Sequence, residues 1–575
     1  MSETIQVTVI AENERQERQE IKVTHDSGVT LMTTLLKKEL ISGNFCSGRG
    51  ACKRCRVRFL QAAPLPTSLE RQAFTPDELR LGYRLACMAR PRNDCVIRLE
   101  FVQSRKIEIL TDTADMMDVS GKSDRFGQNE RAKKRCLIAV DLGTTTIAMQ
   151  LMDIDSGQTL DTYCAMNPQR SYGADVLSRI QAANAGAADA LRESVWKVLR
   201  KGVSRFYDFC HTAAQGISVQ EDSVQEVPDQ GDFEQENIER KAFICCMCIA
   251  GNTTMEHLLM GLSTERLGKS PFMPVELGLQ KCTLPFNADV LPEGIPNGMP
   301  DGILDGIPSG HAGMPPEPAE EPSGLTDKVK NGFLPVYIAP GISAFVGGDI
   351  AAGLYTLNMR GAALFIDLGT NGEMAVTDGK RMIVTATAAG PAFEGGPGKA
   401  VAGSDMVAVT AYLLKKGIID ETGLMAEPYF EEGVTVSLSD AMNAPGSSDS
   451  VYLTQKDIRD LQMAKAAVRA GVEVLWQRIG CPEISQVYLA GGFGYYLDVE
   501  AAAVIGLLPE KWKRRTKAVG NTSLAGAFQM GKDLWTGKLR EEALDKMLRG
   551  IESINLAEQK EFETLYIQYM DLRLS

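Results

Sequence analysis

One pattern occurs twice in this chain of 575 residues, and it restricts the fold more than any other feature of the sequence. An apolar stretch leads into the turn DLGTTT at residues 141–146, and another leads into the turn DLGTNG at residues 367–372. Each turn is followed by a second apolar stretch and then by a short turn with aspartate and glycine. The two copies begin 226 residues apart. An internal repeat of this size predicts two similar lobes, each built on a strand, a turn and a second strand.

Both turns have the composition of a phosphate-binding loop. Glycine allows a tight turn, the N–H and hydroxyl groups that follow can contact phosphate oxygens, and the leading aspartate can hold a hydrated Mg²⁺ or orient a water. One such turn would be a weak indication, because aspartate and glycine are ordinary turn residues. Two in register are stronger, so we predict Asp141 and Asp367 as the catalytic residues. The predicted phosphate contacts are Gly143, Thr144, Thr145, Thr146, Gly369, Thr370 and Asn371.

A third glycine-rich segment follows an apolar strand near residue 490. Glycines at the end of a strand allow an adenine or a ribose to lie against the backbone. We therefore predict Gly491, Gly492 and Phe493 as contacts of an adenosine group.

The spacing of Thr454 and Asp457 is typical of a capping box and predicts a long helix over residues 454–478. Lys465 and Arg469 are four residues apart and share one face of that helix. Surface charge is the favoured interpretation of this pair, and contact with a nucleotide is the alternative.

Four cysteines near the amino terminus have the spacing of iron–sulfur ligands. Cys46, Cys52 and Cys55 follow C-x5-C-x2-C, and Cys87 lies further along the chain. This departs by one residue from the plant-type pattern and matches the x5 variant found in adrenodoxin-like and bacterial ferredoxins. Zinc is the alternative, but zinc sites usually have two close C-x2-C pairs, and one is present here. We predict that these four thiolates hold a [2Fe-2S] cluster.

Residues 44–58 contain five bases and no acid. Positive charge there could stabilise a reduced cluster and steer an acidic redox partner, although a charge run is more often a solvated face. The five bases are Arg49, Lys53, Arg54, Arg56 and Arg58. Cys95 is nearby but falls within a predicted strand, so we expect it to pack in the core.

Composition limits the class of partner and the compartment. A net charge of −13 and a pI near 5.1 argue against nucleic acid, because phosphate backbones attract clustered positive charge. No stretch approaches the roughly 18 apolar residues of a membrane span, and the amino terminus does not resemble a signal peptide. Thirteen cysteines in a long chain fit free thiols and metal ligation better than disulfides. These features predict a cytoplasmic protein without a nucleic acid or membrane partner.

The elements around these motifs predict three parts. Residues 1–102 read as strand, strand, helix, cysteine loop and further strands, which is typical of a β-grasp domain. A polar linker or vestigial middle region is predicted at 103–135, and the large unit at 136–575. Within that unit, an acidic insert near 217–240 and a Gly- and Pro-rich insert near 288–328 are predicted to be surface loops.

The two phosphate turns and the glycine-rich segment together resemble the actin/sugar-kinase/Hsp70 ATPase superfamily. Within it, the segments at 167–176, 251–255 and 390–395, with the fused ferredoxin, resemble the reductive activators of corrinoid-dependent methyltransferases. The resemblance implies a multidomain α+β and α/β chain. It has a β-grasp [2Fe-2S] ferredoxin domain followed by a duplicated actin-like (ribonuclease H-like) two-lobed ATPase. One departure is that the best-known architecture has a middle domain between the two, where about thirty residues lie here.

The same resemblance implies the activity. With ATP, Mg²⁺ and a [2Fe-2S] cluster, the protein would transfer one electron to the Co(II) form of a corrinoid protein and regenerate Co(I) in a methyltransferase system. An upstream electron donor is implied, and a homodimer is left open. Three other activities are alternatives: a small-molecule kinase with a redox-sensing ferredoxin domain, an Hsp70-like binding module, and an activator of an iron–sulfur dehydratase.

Overall fold

The computed structural model describes residues 4–12, 18–38, 40, 55–99, 134–173, 175–215, 242–285, 333–357, 359–369, 371–389, 403–442 and 450–572. Both predicted inserts lie outside these residues, as does all but the end of the predicted linker at 103–135. Cys46, Cys52, Thr370 and the segment 390–395 also lie outside them.

The first domain is a β-grasp fold, as predicted. Its strands β1 to β5 are Thr4–Glu12, Arg18–Asp26, Arg56–Gln61, Tyr83–Leu85 and Cys95–Leu99. Its helices α1 to α3 are Leu31–Lys37, Ser68–Ala73 and Pro76–Arg80. The sheet has the order β2-β1-β5-β3-β4, with β1 and β5 parallel and the other pairs antiparallel. Leu31 and Leu35 of α1 pack on Val7 and Ile97 of the sheet, which closes a separate small core.

The first lobe of the large unit contains a six-stranded sheet. Strands β6 to β11 are Lys134–Leu142, Thr146–Asp153, Thr159–Met166, Ala242–Gly251, Gln280–Pro285 and Phe333–Ile338. Helices α4 to α7 are Val176–Ala182, Ala188–Gln215, Thr253–Met260 and Gly348–Leu357. The order is β10-β11-β9-β6-β7-β8, in which β6, β7 and β8 form an antiparallel meander and β9 runs parallel to β6.

The second lobe repeats this plan. Strands β12 to β19 are Ala362–Leu368, Asn371–Asp378, Met382–Ala388, Val434–Ser437, Ser450–Leu453, Gln486–Ala490, Thr516–Ala518 and Ile551–Ser553. The sheet order is β18-β17-β12-β13-β14-β19, while β15 and β16 pair separately. Here β12, β13 and β14 form the meander and β17 runs parallel to β12. The equivalent strand orders confirm the duplication that the two turns predicted.

Nine helices belong to the described part of the second lobe. Helices α8 to α16 are Gly403–Lys415, Tyr429–Glu432, Leu438–Met442, Gln455–Arg478, Gly491–Tyr495, Val499–Val504, Thr522–Trp535, Glu541–Arg549 and Lys560–Gln568. The predicted long helix is α11, which starts at the capping box of Thr454 and Asp457. None of the helices that the structure describes combines the length and the apolar character needed to cross a bilayer.

Two helices connect the lobes. Helix α7 follows β11 of the first lobe, but its Ile350 packs against Phe365 in the sheet of the second lobe. Helix α14 follows β18 of the second lobe, but its Phe528 packs against Leu137 in the sheet of the first lobe. The start of α14 therefore lies beside Asp141, and the start of α7 lies near Asp367.

Candidate nucleotide and iron–sulfur sites

Two of the four predicted cluster ligands lie together in the first domain. Cys55 directly precedes β3 and Cys87 follows β4, and both are almost fully buried. Their Sγ atoms are 3.1 Å apart. The backbone N–H of Ala86 donates to the carbonyl of Cys55 over 2.7 Å, which fixes the two segments side by side. Cys46 and Cys52 stay predictions, because they fall outside the described residues.

The two thiols are close enough to belong to one site. Two sulfurs bound to one tetrahedral metal at about 2.3 Å would lie roughly 3.8 Å apart, so the Sγ atoms, at 3.1 Å, would have to separate slightly to share a metal ion. Among the described residues alone, no set of three or more His, Cys, Asp or Glu side chains is arranged to hold a metal ion. A complete cluster site therefore depends on the loop that carries the other two cysteines.

Cys95 lies in the core of the same domain, as predicted. It is 3% exposed in strand β5. Burial and the nearby Asp94 raise the pKa of its thiol to about 11, which opposes formation of a thiolate. It therefore behaves as a packing residue and provides a useful comparison with Cys87.

The two described members of the basic cluster pack on one aromatic ring. The guanidinium carbons of Arg56 and Arg58 lie 4.0 and 5.7 Å from the centre of the Tyr83 ring. Arg56 also forms a 2.9 Å ion pair with Glu78. These contacts favour a structural role for both side chains.

Asp141 of the first phosphate turn lies at the end of β6 and is held by the start of α14. Asn521 Nδ2 donates to one carboxylate oxygen over 2.8 Å, and Ser523 Oγ donates to the other over 3.0 Å. Burial raises the pKa of Asp141, and the two donors act in the opposite direction. Sequence reasoning missed both donors, because they lie some 380 residues further along the chain.

Three side chains donate hydrogen bonds to the residues of this turn that follow Asp141. Asn167 Nδ2 donates to the carbonyl of Gly143 over 2.8 Å, and Asn252 Nδ2 donates to Thr144 Oγ1 over 2.8 Å. Arg179 is fully buried and donates to the carbonyl of Thr144 over 2.5 Å. Asn167 and Asn252 lie in the segments 167–176 and 251–255, which carry the family resemblance in the sequence. No local sequence pattern predicted a role for Arg179. The backbone of the turn is thus fixed before any phosphate arrives.

Asp367 of the second phosphate turn has a different environment. It lies at the end of β12, where burial, then Asp349, then Asp141 raise its pKa to about 7. Asp349 is the second residue of α7, and its pKa is also raised to about 7, mainly by burial. Burial and the neighbouring acids Asp349 and Asp367 raise the pKa of Glu373 well above its usual value. The sequence prediction did not include Asp349 or Glu373.

These acids do not form, within the described residues, a set of three or more side chains arranged to hold a bare metal ion. Mg²⁺ usually keeps several waters and binds one or two carboxylates together with substrate phosphates. Asp141 lies near enough to Asp367 to raise its pKa, and the fully buried hydroxyl of Thr522 lies close enough to lower it. The two predicted catalytic aspartates are therefore brought close together in the folded protein.

The predicted adenosine segment lies directly beside Asp367. Gly491 has φ of +79°, and a Cβ there would be 2.4 Å from Asp367 Oδ1 and 2.6 Å from the carbonyl of Leu368. A Cβ at Gly492 would meet nothing within 4 Å. Phe493 is 7% exposed and packs in the core of the second lobe. The open space beside Gly492 is where a nucleotide could approach the backbone.

These two glycines predict separable effects of alanine. Gly491→Ala should destabilise the nucleotide-free protein by about 2–4 kcal/mol, because the side chain needs an unfavourable φ and collides with Asp367. Gly492→Ala should change stability by less than about 1 kcal/mol but weaken ATP binding by about tenfold, because the methyl group occupies the open space. Thermal unfolding and calorimetric ATP binding measure the two effects. Equal thermal midpoints for the two variants would contradict this assignment.

The interpretation of Lys465 and Arg469 as surface charges is wrong, because both side chains are engaged within the protein. Lys465 is fully buried, and its Nζ donates to the carbonyl of Asp571. Arg469 donates to Glu473 over 3.0 Å and lies over the ring of Tyr569. The structure therefore favours a role in holding the carboxy-terminal segment against α11.

Burial of Lys465 predicts a pH-dependent stability. Desolvation lowers its pKa to about 7 from 10.5, so between these values the unfolded chain binds more protons than the folded protein. Stability of the wild type should then rise by about 2 kcal/mol between pH 7 and pH 9, relative to Lys465→Met. Urea unfolding at both pH values measures this difference. Lys456→Met, at an exposed position of the same helix, retains Lys465 and should therefore keep the rise in stability that the wild type shows.

Family models match three successive parts of the chain. A 2Fe-2S iron-sulfur cluster binding domain matches residues 14–92. The RACo middle region matches 136–221 and 222–285, and the C-terminal domain of RACo, the ASKHA domain, matches 361–399 and 396–574. The middle region thus coincides with the first lobe rather than with the short linker before it. The matches support a 2Fe-2S cluster in the first domain and ATP binding by the ASKHA domain.

Two curated relatives are similar over long segments. The corrinoid activation enzyme RamQ of Eubacterium limosum is 28% identical over 452 residues, which cover 70% of this chain and 65% of the relative. The [Co(II) methylated amine-specific corrinoid protein] reductase of Methanosarcina barkeri is 27% identical over 238 residues, covering 34% of this chain and 44% of the relative. The matched segments span less than two thirds of either relative.

A solved structure has the same fold. It is a reductive activator for corrinoid,iron-sulfur protein, with a TM-score of 0.55 and 22% identity, and the match covers 98% of both chains. The shared fold agrees with the order of the three matched family models. With a 2Fe-2S domain, a RACo middle region and a RACo carboxy-terminal ASKHA domain in succession, the chain belongs to the RACo family of ferredoxin-fused ASKHA proteins.

Proposed function

We propose that this protein is an ATP-hydrolysing reductive activator of a corrinoid protein. It transfers one electron from a [2Fe-2S] cluster to Co(II) and regenerates Co(I) in a methyltransferase system. The main support is that one chain combines a buried thiol pair in a ferredoxin fold with two buried phosphate-turn aspartates that lie near each other. The names of the two relatives support the choice of a corrinoid protein as partner.

The coupling to ATP has an energetic reason. A plant-type cluster has a potential around −400 mV, and reduction of the corrinoid to Co(I) needs a more negative one. A gap of about 100–200 mV for one electron corresponds to roughly 2–5 kcal/mol. Energy of this size is available from ATP if the nucleotide binds one arrangement of the lobes better than another.

The residues divide the work between two sites. Asp141 and Asp367 would hold a hydrated Mg²⁺ and orient the attacking water, and the two phosphate turns would contact the phosphates. Gly491, Gly492 and the backbone of Phe493 would lie against the adenosine. Mg²⁺ bound there would neutralise charge on the transferred phosphate.

The electron route begins at the cysteines. Cys55 and Cys87, with Cys46 and Cys52 of the preceding loop, would hold the cluster, which supplies the electron when bound. An upstream donor would reload it. We place this chemistry in the cytoplasm, because none of the cysteines in the described part of the chain is in a disulfide.

Anaerobic spectroscopy tests the proposal. A corrinoid protein in the Co(II) state is mixed with the reduced, cluster-loaded protein, with Mg-ATP or without nucleotide. We expect the Co(I) absorption to appear only with Mg-ATP and the Co(II) electron paramagnetic resonance signal to disappear in parallel. Equal rates in both mixtures would refute the coupling. ATP-dependent phosphorylation of a sugar or carboxylate without a corrinoid protein would favour the kinase alternative.

A further inference from the structure

The first residues of α14 reach the aspartates of both phosphate turns. Asn521 and Ser523 donate to the two oxygens of Asp141, over 2.8 and 3.0 Å. Thr522 lies between them and is fully buried, and its hydroxyl is close enough to Asp367 to lower the pKa of that carboxyl. One tripeptide therefore touches the equivalent residue of each half of the repeat.

The tripeptide belongs to neither half alone. It follows strand β18, which is hydrogen-bonded to β17 of the second lobe. The helix that it begins packs on the first lobe, where Leu524 and Phe528 lie against Leu137 and Ala139. The contact with Asp141 therefore depends on how the second lobe presents the start of α14 to the first.

The two equivalent aspartates have opposite surroundings. Asp141 receives a neutral donor on each carboxylate oxygen, which fixes the rotation of the group as well as its position. Asp367 instead has a single hydroxyl nearby, that of Thr522, together with two further acids, Asp349 and Glu373. Duplication alone would give both aspartates the same partners, so the pair of donors is a specialised feature of the Asp141 side.

We propose that Asn521 and Ser523 are positioning residues that orient the carboxylate of Asp141 for ATP hydrolysis, an inference that rests on the proposed function. A carboxylate that binds a hydrated cation or a water must present one oxygen in a fixed direction. A side chain free to rotate would do so only part of the time. Displacements of about 1 Å at such a site can reduce a rate by about 100-fold.

Ser523 gives the simplest test. In Ser523→Ala the donor is lost, and we expect kcat for ATP hydrolysis to fall by about tenfold while the Kd for Mg-ATP changes by less than about threefold. Ser523→Thr keeps the hydroxyl and should retain most of the wild-type kcat. If the threonine variant is as slow as the alanine variant, or if the alanine variant is as fast as the wild type, the proposal is overturned.

Asn521 separates positioning from helix capping. Its Oδ1 accepts from the backbone N–H of Leu524 over 2.8 Å, so Asn521 also caps α14. Aspartate keeps this acceptor but replaces the donor to Asp141 with a second negative charge. Asn521→Asp should therefore keep a folded protein and lose about 100-fold in kcat, since it both removes the donor and repels the carboxylate. A purely structural cap predicts wild-type kcat for this variant.

Asn555 provides the matched control. It caps a short 3-10 helix in the second lobe through Ala557, and its Nδ2 reaches only the exposed Glu558. Asn555→Asp should leave kcat unchanged, and thermal midpoints of all variants show whether folding is affected. If the wild type itself does not hydrolyse ATP, the proposed function fails. If it does and Asn521→Asp equals it, only the positioning role fails.

Discussion

Asp367→Asn is expected to reduce the rate of ATP hydrolysis by about 10²–10³-fold while the visible spectrum of the cluster stays unchanged. The substitution keeps the size of the side chain but removes the charge that would hold Mg²⁺ and orient the water. The cluster should not be affected, because the ferredoxin domain has its own core, separate from the cores of both lobes. Phosphate release and absorption spectra of the same anaerobic preparation measure both quantities.

Thermal unfolding of this variant distinguishes a specific loss of turnover from unfolding. Burial and the neighbouring acids raise the pKa of Asp367 to about 7, so the folded protein holds a proton that the unfolded chain releases above its ordinary value of 3.8. Stability of the wild type is therefore lost as the pH rises between these values. Asp367→Asn should have a higher thermal midpoint than the wild type at about pH 8, and a similar one at about pH 4.

An exposed acid in the same lobe gives the comparison. Asp440→Asn removes one negative charge from the surface of α10 and should change neither the turnover nor the dependence of stability on pH. Loss of both turnover and cluster colour in Asp367→Asn would contradict the separation of the two sites. Full turnover in that variant would show that Asp367 is not part of the ATP site.

Structural features that depend on a short stretch of sequence, such as turns and helix starts, could be predicted. The two turns beginning at Asp141 and Asp367 each combine an apolar strand with a glycine turn within about ten residues, and their repetition predicted two lobes. The helix at Gln455–Arg478 was predicted to within one residue, because Thr454 and Asp457 form its capping box. Local hydrogen bonds and periodic burial carry this information.

The side chains that contact the predicted residues in the folded protein could not be predicted from the sequence. Asn521 and Asp141 are 380 residues apart in the sequence. The packing of α14 on the opposite lobe brings them together. In the sequence, Asp349 is an ordinary acid in the first turn of a helix. It belongs to the site because α7 places it beside Asp367. Such contacts depend on how α7 and α14 pack against the opposite lobe, and no local sequence pattern predicts that packing.

The three buried acids near Asp141 give a physical reason why the stability of the site would depend on metal and nucleotide. Asp349, Asp367 and Glu373 are buried close together, so their ionised forms repel one another. A metal-bound phosphate brings the positive charge that relieves this repulsion, although the phosphate itself is anionic. The site should therefore be most stable when metal and nucleotide are bound together, which is the property that an ATP-dependent switch requires.

Cys87→Ala is expected to remove the cluster and with it all electron transfer to the corrinoid. The Sγ of Cys87 lies 3.1 Å from that of Cys55, and three remaining thiolates would leave one iron with an incomplete set of ligands. Iron content should fall from about two atoms per chain to nearly none, and the visible absorption should disappear. ATP hydrolysis without the corrinoid protein should stay within about twofold of the wild type, because the two sites belong to separate cores.

Cys95→Ala distinguishes loss of a ligand from damage to the domain. Cys95 is as buried as Cys87, and burial raises the pKa of its thiol to about 11, so it packs as a neutral side chain. Its replacement should lower stability by about 1–2 kcal/mol through the cavity it leaves, yet retain iron and colour. If Cys95→Ala lost the iron and Cys87→Ala kept it, the ligand set would be wrong and the electron route would have to begin elsewhere. We expect iron to be lost in Cys87→Ala and retained in Cys95→Ala. That result would show that electron transfer begins at a cluster held by Cys55 and Cys87.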